Sequence, residues 1–186
     1  MTGFAAPRAV LFDRDGTLIR DVPYNGDPAL VQPMPTVEQA LALLRRRGVR
    51  TGVVTNQSGV ARGLLSSGDV AAVNTRVDDL LGPFDVWAVC EHGPDDGCDC
   101  RKPLPGLVHR ATRRLGLEPH DVVVIGDIGS DVAAGVAAGC RAVLVPTPVT
   151  RREEIADAVE VAEVADTIAA AVELVLGVAL TSGGRR

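Results

Sequence analysis

The sequence predicts an α/β fold in which a parallel sheet carries helices on both faces. Short apolar runs alternate along the chain with longer stretches of helical spacing, a pattern typical of βαβ units. The chain has 186 residues, which suits one domain, and 46% of them are hydrophobic, which allows a sizeable core and excludes intrinsic disorder. We therefore expect residues 1–186 to form a single domain without internal repeats.

The predicted strands are short apolar runs, several of which end at a polar residue. We expect them at residues 9–12, 49–55, 84–89, 121–125 and 142–145. In a parallel sheet of this kind, ligands bind beyond the carboxyl ends of the strands. Asp13, Thr55 and Asp127 come at those ends, so the sequence predicts a functional site at this edge of the sheet.

The predicted helices lie between these strands. Thr36-Val37-Glu38-Gln39 has the form of a capping box, so one helix is expected to begin there and to end at Gly48. Others are expected at residues 69–81, 107–115 and 131–138. The apolar stretch 164–180 contains Asp166 and Glu173 and is too short and too acidic to cross a bilayer, so we expect a helix with one buried face.

Charge and termini limit the possible partners and location. The formal net charge of -5 argues against a protein that binds nucleic acid or a membrane surface, because both need a basic face. The first residues lack the basic and apolar regions of a signal peptide, so we expect a cytoplasmic protein with reduced thiols. We also expect a monomer, with a frayed tail at residues 181–186.

The strongest motif is Asp13-Arg14-Asp15-Gly16-Thr17, directly after the first predicted strand. Carboxylates at i and i+2 can face one pocket, and their proximity is unfavourable unless a cation neutralises them. Asp127 can supply a third carboxylate. An all-oxygen site of this kind suits Mg²⁺, whereas the alternative interpretation is an ordinary strand-end turn with a helix cap.

A second constellation lies within residues 90–100, where Cys90, His92, Cys98 and Cys100 are crowded together. Three thiolates and one imidazole form a closed tetrahedral donor set, the composition of a structural zinc site. Redox-active thiols or a disulfide are the alternatives, and a reducing compartment favours zinc. The fourth cysteine, Cys140, is expected to lie in the core.

Together, these motifs resemble those of the haloacid dehalogenase-like hydrolases. The four motifs of that family are matched in order by Asp13-Arg14-Asp15-Gly16-Thr17, by Thr55, by Lys102, and by Gly126-Asp127 with Asp131. The resemblance implies a three-layer, Rossmann-like fold. No insertion is large enough for a cap domain. Only a flap loop over residues 18–35 and the zinc loop, residues 90–100, are therefore expected to cover the site.

The resemblance also implies a two-step phosphoryl transfer. Asp13 would be the nucleophile that forms an aspartyl-phosphate, and Asp15 would protonate the leaving oxygen and then activate water. Mg²⁺ would be held by the Asp13 and Asp127 carboxylates and the Asp15 backbone carbonyl. Lys102 and the Thr55 hydroxyl would hold the phosphate oxygens.

The role of Asp131 is left open at this point. It would orient Lys102 or reach the metal through water, or else it is a solvated or helix-capping residue. The zinc would anchor the segment that presents Lys102, since Arg101-Lys102-Pro103 follows the last cysteine directly.

The zinc loop narrows the resemblance to a zinc-containing branch that includes heptose bisphosphate phosphatases and histidinol phosphatases. Residues 55–63 look like those of the D-glycero-D-manno-heptose 1,7-bisphosphate 7-phosphatases, whereas the short 93–97 segment is closer to the histidinol phosphatases. Ile128 replaces a lysine that often follows the fourth-motif aspartate. By resemblance, the substrate-binding residues would be Asp21, Tyr24, Asn56, Gln57, Ser58 and Arg101, the last for a distal substrate group.

The sequence thus predicts a Mg²⁺-dependent phosphatase acting on a small phosphorylated metabolite, with a sugar bisphosphate as the leading substrate and histidinol phosphate as the alternative. Two hypotheses of other classes are a receiver-like signalling domain and a zinc-organised binding module. Asp15 argues against a receiver domain, because an acid two residues past the nucleophile serves turnover, and a receiver has no zinc loop.

Overall fold

Six parallel strands form one sheet in the computed structural model, which describes residues 6–178. The strands are β1 (Ala9–Phe12), β2 (Arg50–Asn56), β3 (Val86–Cys90), β4 (Val122–Gly126), β5 (Arg141–Leu144) and β6 (Glu163–Val164). Their order across the sheet is β3-β2-β1-β4-β5-β6, and each neighbouring pair is parallel. The predicted parallel sheet is confirmed, with β1 near its middle.

Six α-helices accompany the sheet in the described part of the chain. They are α1 (Val37–Arg46), α2 (Ser67–Leu81), α3 (Gly106–Leu115), α4 (Gly129–Ala137), α5 (Arg152–Val161) and α6 (Ile168–Leu176). Short 3₁₀ turns occur at Pro28–Leu30 and Pro119–Asp121. Among the residues from 6 to 178, no helix is long and apolar enough to cross a membrane.

The helices form two layers because alternate residues of each strand face opposite sides of the sheet. In β1, Val10 and Phe12 pack with α1, α2 and α6, whereas Ala9 and Leu11 pack with α3 and α4. All four side chains are fully buried. This explains why the central strands read as continuous apolar runs, and it confirms the expected three-layer arrangement.

Several elements differ from the sequence-based expectation, and the helix expected over residues 164–180 is observed as α6, which begins at Ile168. The capping box at Thr36 is wrong: Thr36 adopts a left-handed conformation with φ 68°, and its hydroxyl accepts a hydrogen bond from the Ala169 N–H instead of capping α1. The helix expected from residue 69 begins at Ser67, after a capping box formed by Ser66 and Asp69. Both α5 and β6 were unexpected, and the predicted tail at 181–186 lies outside the described residues.

The strand order brings distant motifs to one edge. Phe12, the last residue of β1, is in register with Ile125 of β4 on one side and with Val53 of β2 on the other. The residues that follow β1 and β4 therefore emerge side by side, beyond the carboxyl ends of the strands. This is the position in which open α/β sheets bind their ligands.

The α1 layer offers a direct test of this packing. Leu44 is fully buried in the core between α1 and the sheet, so Leu44→Ala should lower the free energy of unfolding by about 2–5 kcal/mol. Leu64 is 56% exposed, and the matched variant Leu64→Ala should change it by less than about 0.5 kcal/mol. Urea denaturation followed by circular dichroism measures both values, and equal losses would contradict the packing described.

Candidate active site

The loop that follows β1 brings its carboxylates beside the end of β4. The Asp13 N–H donates to the Ile125 carbonyl at 2.9 Å, which extends the sheet pairing into the loop. Gly16 has φ +83°, and a Cβ there would lie 2.4 Å from Asp127 Oδ2, so both the backbone conformation and the close approach require glycine. Thr17 Oγ1 donates to Asp127 Oδ1 at 3.2 Å and fixes this carboxylate.

Lys102 joins three parts of the site through one buried ammonium. Its Nζ donates to Asp13 Oδ1 at 2.6 Å, to Asp131 Oδ1 at 2.6 Å and to the Val54 carbonyl at 2.9 Å. All three ammonium hydrogens can therefore be satisfied. Asp131 is 1% exposed and also accepts from the Ile128 N–H, so it both orients Lys102 and caps α4, and it is not a solvated residue.

The carboxylates of Asp13, Asp127 and Asp131 offer oxygens within 4.8 Å of one another. Burial raises the pKa of Asp13 well above its ordinary value and that of Asp127 to about 7, and neighbouring carboxylates add to both effects. The pKa of Lys102 is raised although burial opposes this, because Asp13 and Asp131 stabilise its ammonium form. Three carboxylates facing one ammonium leave an excess of negative charge, and a divalent cation with oxygen ligands fits this donor set.

Asp15 lies apart from this cluster and has different partners. Gln57 Nε2 donates to its Oδ2 at 2.7 Å, and the Arg14 guanidinium forms an ion pair with it at 2.9 Å. The same Gln57 nitrogen donates to Thr55 Oγ1 at 3.0 Å. Two aspartates two residues apart therefore occupy different electrostatic surroundings, one beside a lysine and other acids and the other beside an arginine.

A cavity of about 340 Å³ opens above these groups. The predicted residues that line it are Asp13, Asp15, Asp21, Tyr24, Asn56, Gln57, Ser58, Lys102 and Asp127, together with Asp131 and Ile128. Tyr24 belongs to the flap, has φ 52°, and lies with its ring under the Arg62 guanidinium at 6.0 Å. Most of the predicted site residues thus surround one opening.

Three predicted residues have surroundings that their proposed roles did not anticipate. Arg101 is not among the described residues that line the cavity, and its guanidinium donates to the His92 carbonyl at 3.4 Å. Thr55 is fully buried beneath Gln57. Asn56 lines the cavity, but its amide is bound to the backbone of Lys102, with both contacts at 3.1 Å.

The four predicted zinc ligands form a compact cluster at the end of β3. The Cys100 Sγ lies 3.2 Å from the Cys90 Sγ and 3.3 Å from the His92 Nδ1, and the Cys90 Sγ lies 3.5 Å from that Nδ1 and 3.9 Å from the Cys98 Sγ. A tetrahedral zinc with Zn–S bonds of ~2.3 Å separates its ligand atoms by roughly 3.5–3.8 Å. The donor set therefore fits zinc, and the sulfur separations are far too long for a disulfide.

Comparison with known proteins decides the family. A family model described as HAD-hydrolase-like matches residues 99–171. A D-glycero-beta-D-manno-heptose-1,7-bisphosphate 7-phosphatase of Pseudomonas aeruginosa is 36% identical over 143 residues, which are 74% of this chain and 80% of that protein. The chain belongs to the HAD-like hydrolases.

Solved structures agree with this assignment. The D,D-heptose 1,7-bisphosphate phosphatase of Bordetella bronchiseptica, crystallised with magnesium and phosphate, superposes with a TM-score of 0.80 at 32% identity, covering 91% of this chain and 98% of that one. A putative HAD-like phosphatase of Mesorhizobium loti superposes with a TM-score of 0.70 at 34% identity. The match covers 91% of this chain and 88% of that one. The expected fold, family and enzyme class are confirmed for this HAD-like hydrolase.

Sequence reasoning about this HAD-like hydrolase missed three polar partners. Thr17 holds Asp127, Arg14 holds Asp15, and Asn74 of α2 holds Arg14. Thr17 and Arg14 belong to the first motif, so the sequence could have indicated that they contact its aspartates. No sequence pattern marks Asn74, because its contact with Arg14 depends on how α2 packs.

The zinc cluster of this hydrolase can be tested with two cysteine variants. We expect one zinc per chain in the purified protein, loss of that zinc in Cys100→Ala, and its retention in Cys140→Ala. Cys140 is a matched control because it is also buried, and burial alone raises the pKa of its thiol to about 12. Elemental analysis measures the metal content, and stoichiometric zinc in Cys100→Ala would contradict the assignment.

Proposed function

We propose that this hydrolase is a Mg²⁺-dependent phosphatase that releases phosphate from a sugar bisphosphate, of the heptose 1,7-bisphosphate class. The observation that carries the proposal is the Asp13 carboxylate, held at 2.6 Å by a buried lysine at the floor of an open cavity. The names of the relatives support the substrate class, and the magnesium and phosphate bound in the Bordetella enzyme support the cofactor and the reaction.

In this proposal, Mg²⁺ would be held by the Asp13 and Asp127 carboxylates and the Asp15 backbone carbonyl, and it would neutralise charge on the phosphoryl group. Lys102 orients the Asp13 carboxylate in this proposal. Its ammonium occupies Asp13 Oδ1 and so leaves Asp13 Oδ2 as the attacking atom. Burial keeps this ammonium fixed, which avoids reorganisation when charge develops on the phosphate oxygens.

The first chemical step forms a bond between Asp13 Oδ2 and phosphorus and breaks the bond between phosphorus and the ester oxygen. The leaving oxygen takes a proton from Asp15, so the alcohol departs neutral. In the second step, Asp15 removes a proton from water, the resulting oxygen bonds to phosphorus, and the bond to Asp13 breaks. Inorganic phosphate leaves, and both aspartates return to their initial states.

The lining of the cavity supports a polar substrate, and residues 6–178 contain no cap domain that would enclose it. The flap residues Asp21 and Tyr24 and the loop from Asn56 to Ser58 line the opening. Arg62, over the Tyr24 ring, brings a positive charge near this edge, which suits a second phosphate on the substrate. We further propose that residues 1–186 act as one monomeric, cytoplasmic domain without a nucleic-acid or membrane partner, in keeping with the net charge of -5.

Asp13→Asn tests the nucleophile. The amide is nearly isosteric but far less nucleophilic, so kcat for phosphate release should fall by about 1,000-fold or more while the fold persists. Asp79→Asn, an exposed position on α2, is the control and should retain activity. A phosphate-release assay with added Mg²⁺ measures turnover, circular dichroism checks the fold, and undiminished turnover by Asp13→Asn would refute the mechanism.

A substrate panel tests the substrate class. We expect kcat/KM for D-glycero-β-D-manno-heptose 1,7-bisphosphate to exceed that for histidinol phosphate by at least about tenfold, a difference of about 1.4 kcal/mol in transition-state binding. Both activities should be absent in buffer without Mg²⁺ and should appear when Mg²⁺ is added. A higher kcat/KM for histidinol phosphate would contradict the proposed sugar substrate and favour a histidinol phosphatase. A stable aspartyl-phosphate without turnover would instead indicate a receiver-like domain.

A further inference from the structure

Arg14 is a buried charge that the reaction described above does not use. It is 1% exposed and is among the largest fully buried side chains of the described chain. Removing a guanidinium from water is unfavourable, and such a group usually persists only where its hydrogen bonds are well satisfied. Here its partners are Asp15, two residues past the nucleophile, and Asn74 of α2.

The two ends of the guanidinium have separate partners. Nη1 donates to Asn74 Oδ1 at 2.7 Å, whereas Nη2 donates to Asp15 Oδ2 at 2.9 Å and Nε lies 3.2 Å from both Asp15 oxygens. One side of the planar guanidinium is thus bound to Asn74 of α2, and the other side faces the Asp15 carboxylate. This arrangement restricts the rotation of the Asp15 side chain more than a single lysine ammonium would.

Gln57 completes the environment of Asp15 from the other side. Its Nε2 donates to Asp15 Oδ2 at 2.7 Å and is also bound to Thr55 Oγ1. The short contacts, from Gln57 Nε2 and Arg14 Nη2, therefore both converge on Oδ2. Oδ1 has only the longer contact with Arg14 Nε, so it is the oxygen left free to carry a proton.

We propose that Arg14 and Asn74 are positioning residues that hold Asp15 so that its Oδ1 delivers the proton to the leaving oxygen. This inference rests on the proposed phosphatase function and adds to it the two residues on which proton delivery depends. Because only a strongly basic leaving group needs that proton, loosening Asp15 should impair hydrolysis of alkyl phosphates and spare that of p-nitrophenyl phosphate, whose leaving phenolate departs without protonation.

Asn74→Ala is the decisive variant, because it removes the anchor of Arg14 without touching the active-site loop, and alanine suits a helix position. We expect its kcat/KM for the best sugar phosphate of the panel to fall about tenfold, which is part of the ~100- to 10,000-fold that a positioned general acid contributes. Its kcat/KM for p-nitrophenyl phosphate should stay within about twofold of wild type, since this constant reports the steps up to formation of the phosphoenzyme.

Two further variants separate positioning from packing. Asn74→Asp keeps an oxygen that can accept from Arg14 Nη1, so it should restore the sugar phosphate activity to within about threefold of wild type. Thr75→Ala alters the neighbouring exposed position on α2 and should have no effect on either substrate. Thermal denaturation checks that each variant folds.

The outcomes are distinguishable. Equal losses for both substrates in Asn74→Ala, or no loss for either, would overturn the positioning role, as would failure of Asn74→Asp to restore the selective loss. A wild-type protein that hydrolyses neither substrate in the presence of Mg²⁺ would overturn the proposed function itself, and this inference with it.

Discussion

The buried ammonium of Lys102 is the interaction on which the site depends. It joins the loop after β1, the end of β2 and the first turn of α4 through Asp13, the Val54 carbonyl and Asp131. Burying a lone ammonium would be strongly unfavourable, and so would burying a cluster of carboxylates alone. Here the opposite charges offset each other's loss of hydration. The Lys102 ammonium therefore holds the charged groups at this edge of the sheet in one arrangement.

Two supports hold the backbone that carries this lysine. The cluster of Cys90, His92, Cys98 and Cys100 ends two residues before Lys102, and the Asn56 amide binds the Lys102 N–H and carbonyl from β2. Both reach the segment from the β2–β3 side of the sheet. A zinc bound by these four residues would act as a structural support of the active site, because a closed set of four protein ligands leaves no open position for a reactant.

The sequence predicted what depends on local order and missed what depends on packing. The aspartates after β1 and β4 follow apolar runs, and the zinc ligands are close neighbours in the chain, so both sets were accessible from spacing. The predicted capping box at Thr36 is wrong because the Thr36 hydroxyl accepts a hydrogen bond from the N–H of Ala169, which is distant in sequence. The Arg14–Asn74 contact spans 60 residues and exists only because α2 packs beside the loop after β1. The helix α5 and the two-residue β6 escaped because neither is strongly patterned.

The surroundings of the two motif aspartates suit the different roles proposed for them, a nucleophile for Asp13 and an acid–base group for Asp15. Asp13 lies among carboxylates and a lysine, in a place where a divalent cation relieves repulsion, whereas Asp15 lies against a guanidinium and an amide. Near the opening, burial raises the pKa of Asp21, and the charge of Asp15 adds to this effect. A phosphate dianion would be repelled by these groups alone, so binding of substrate and of metal must be coupled. The excess of negative charge that opposes phosphate binding favours a divalent cation, and in the proposed mechanism this cation is what allows the phosphate to bind.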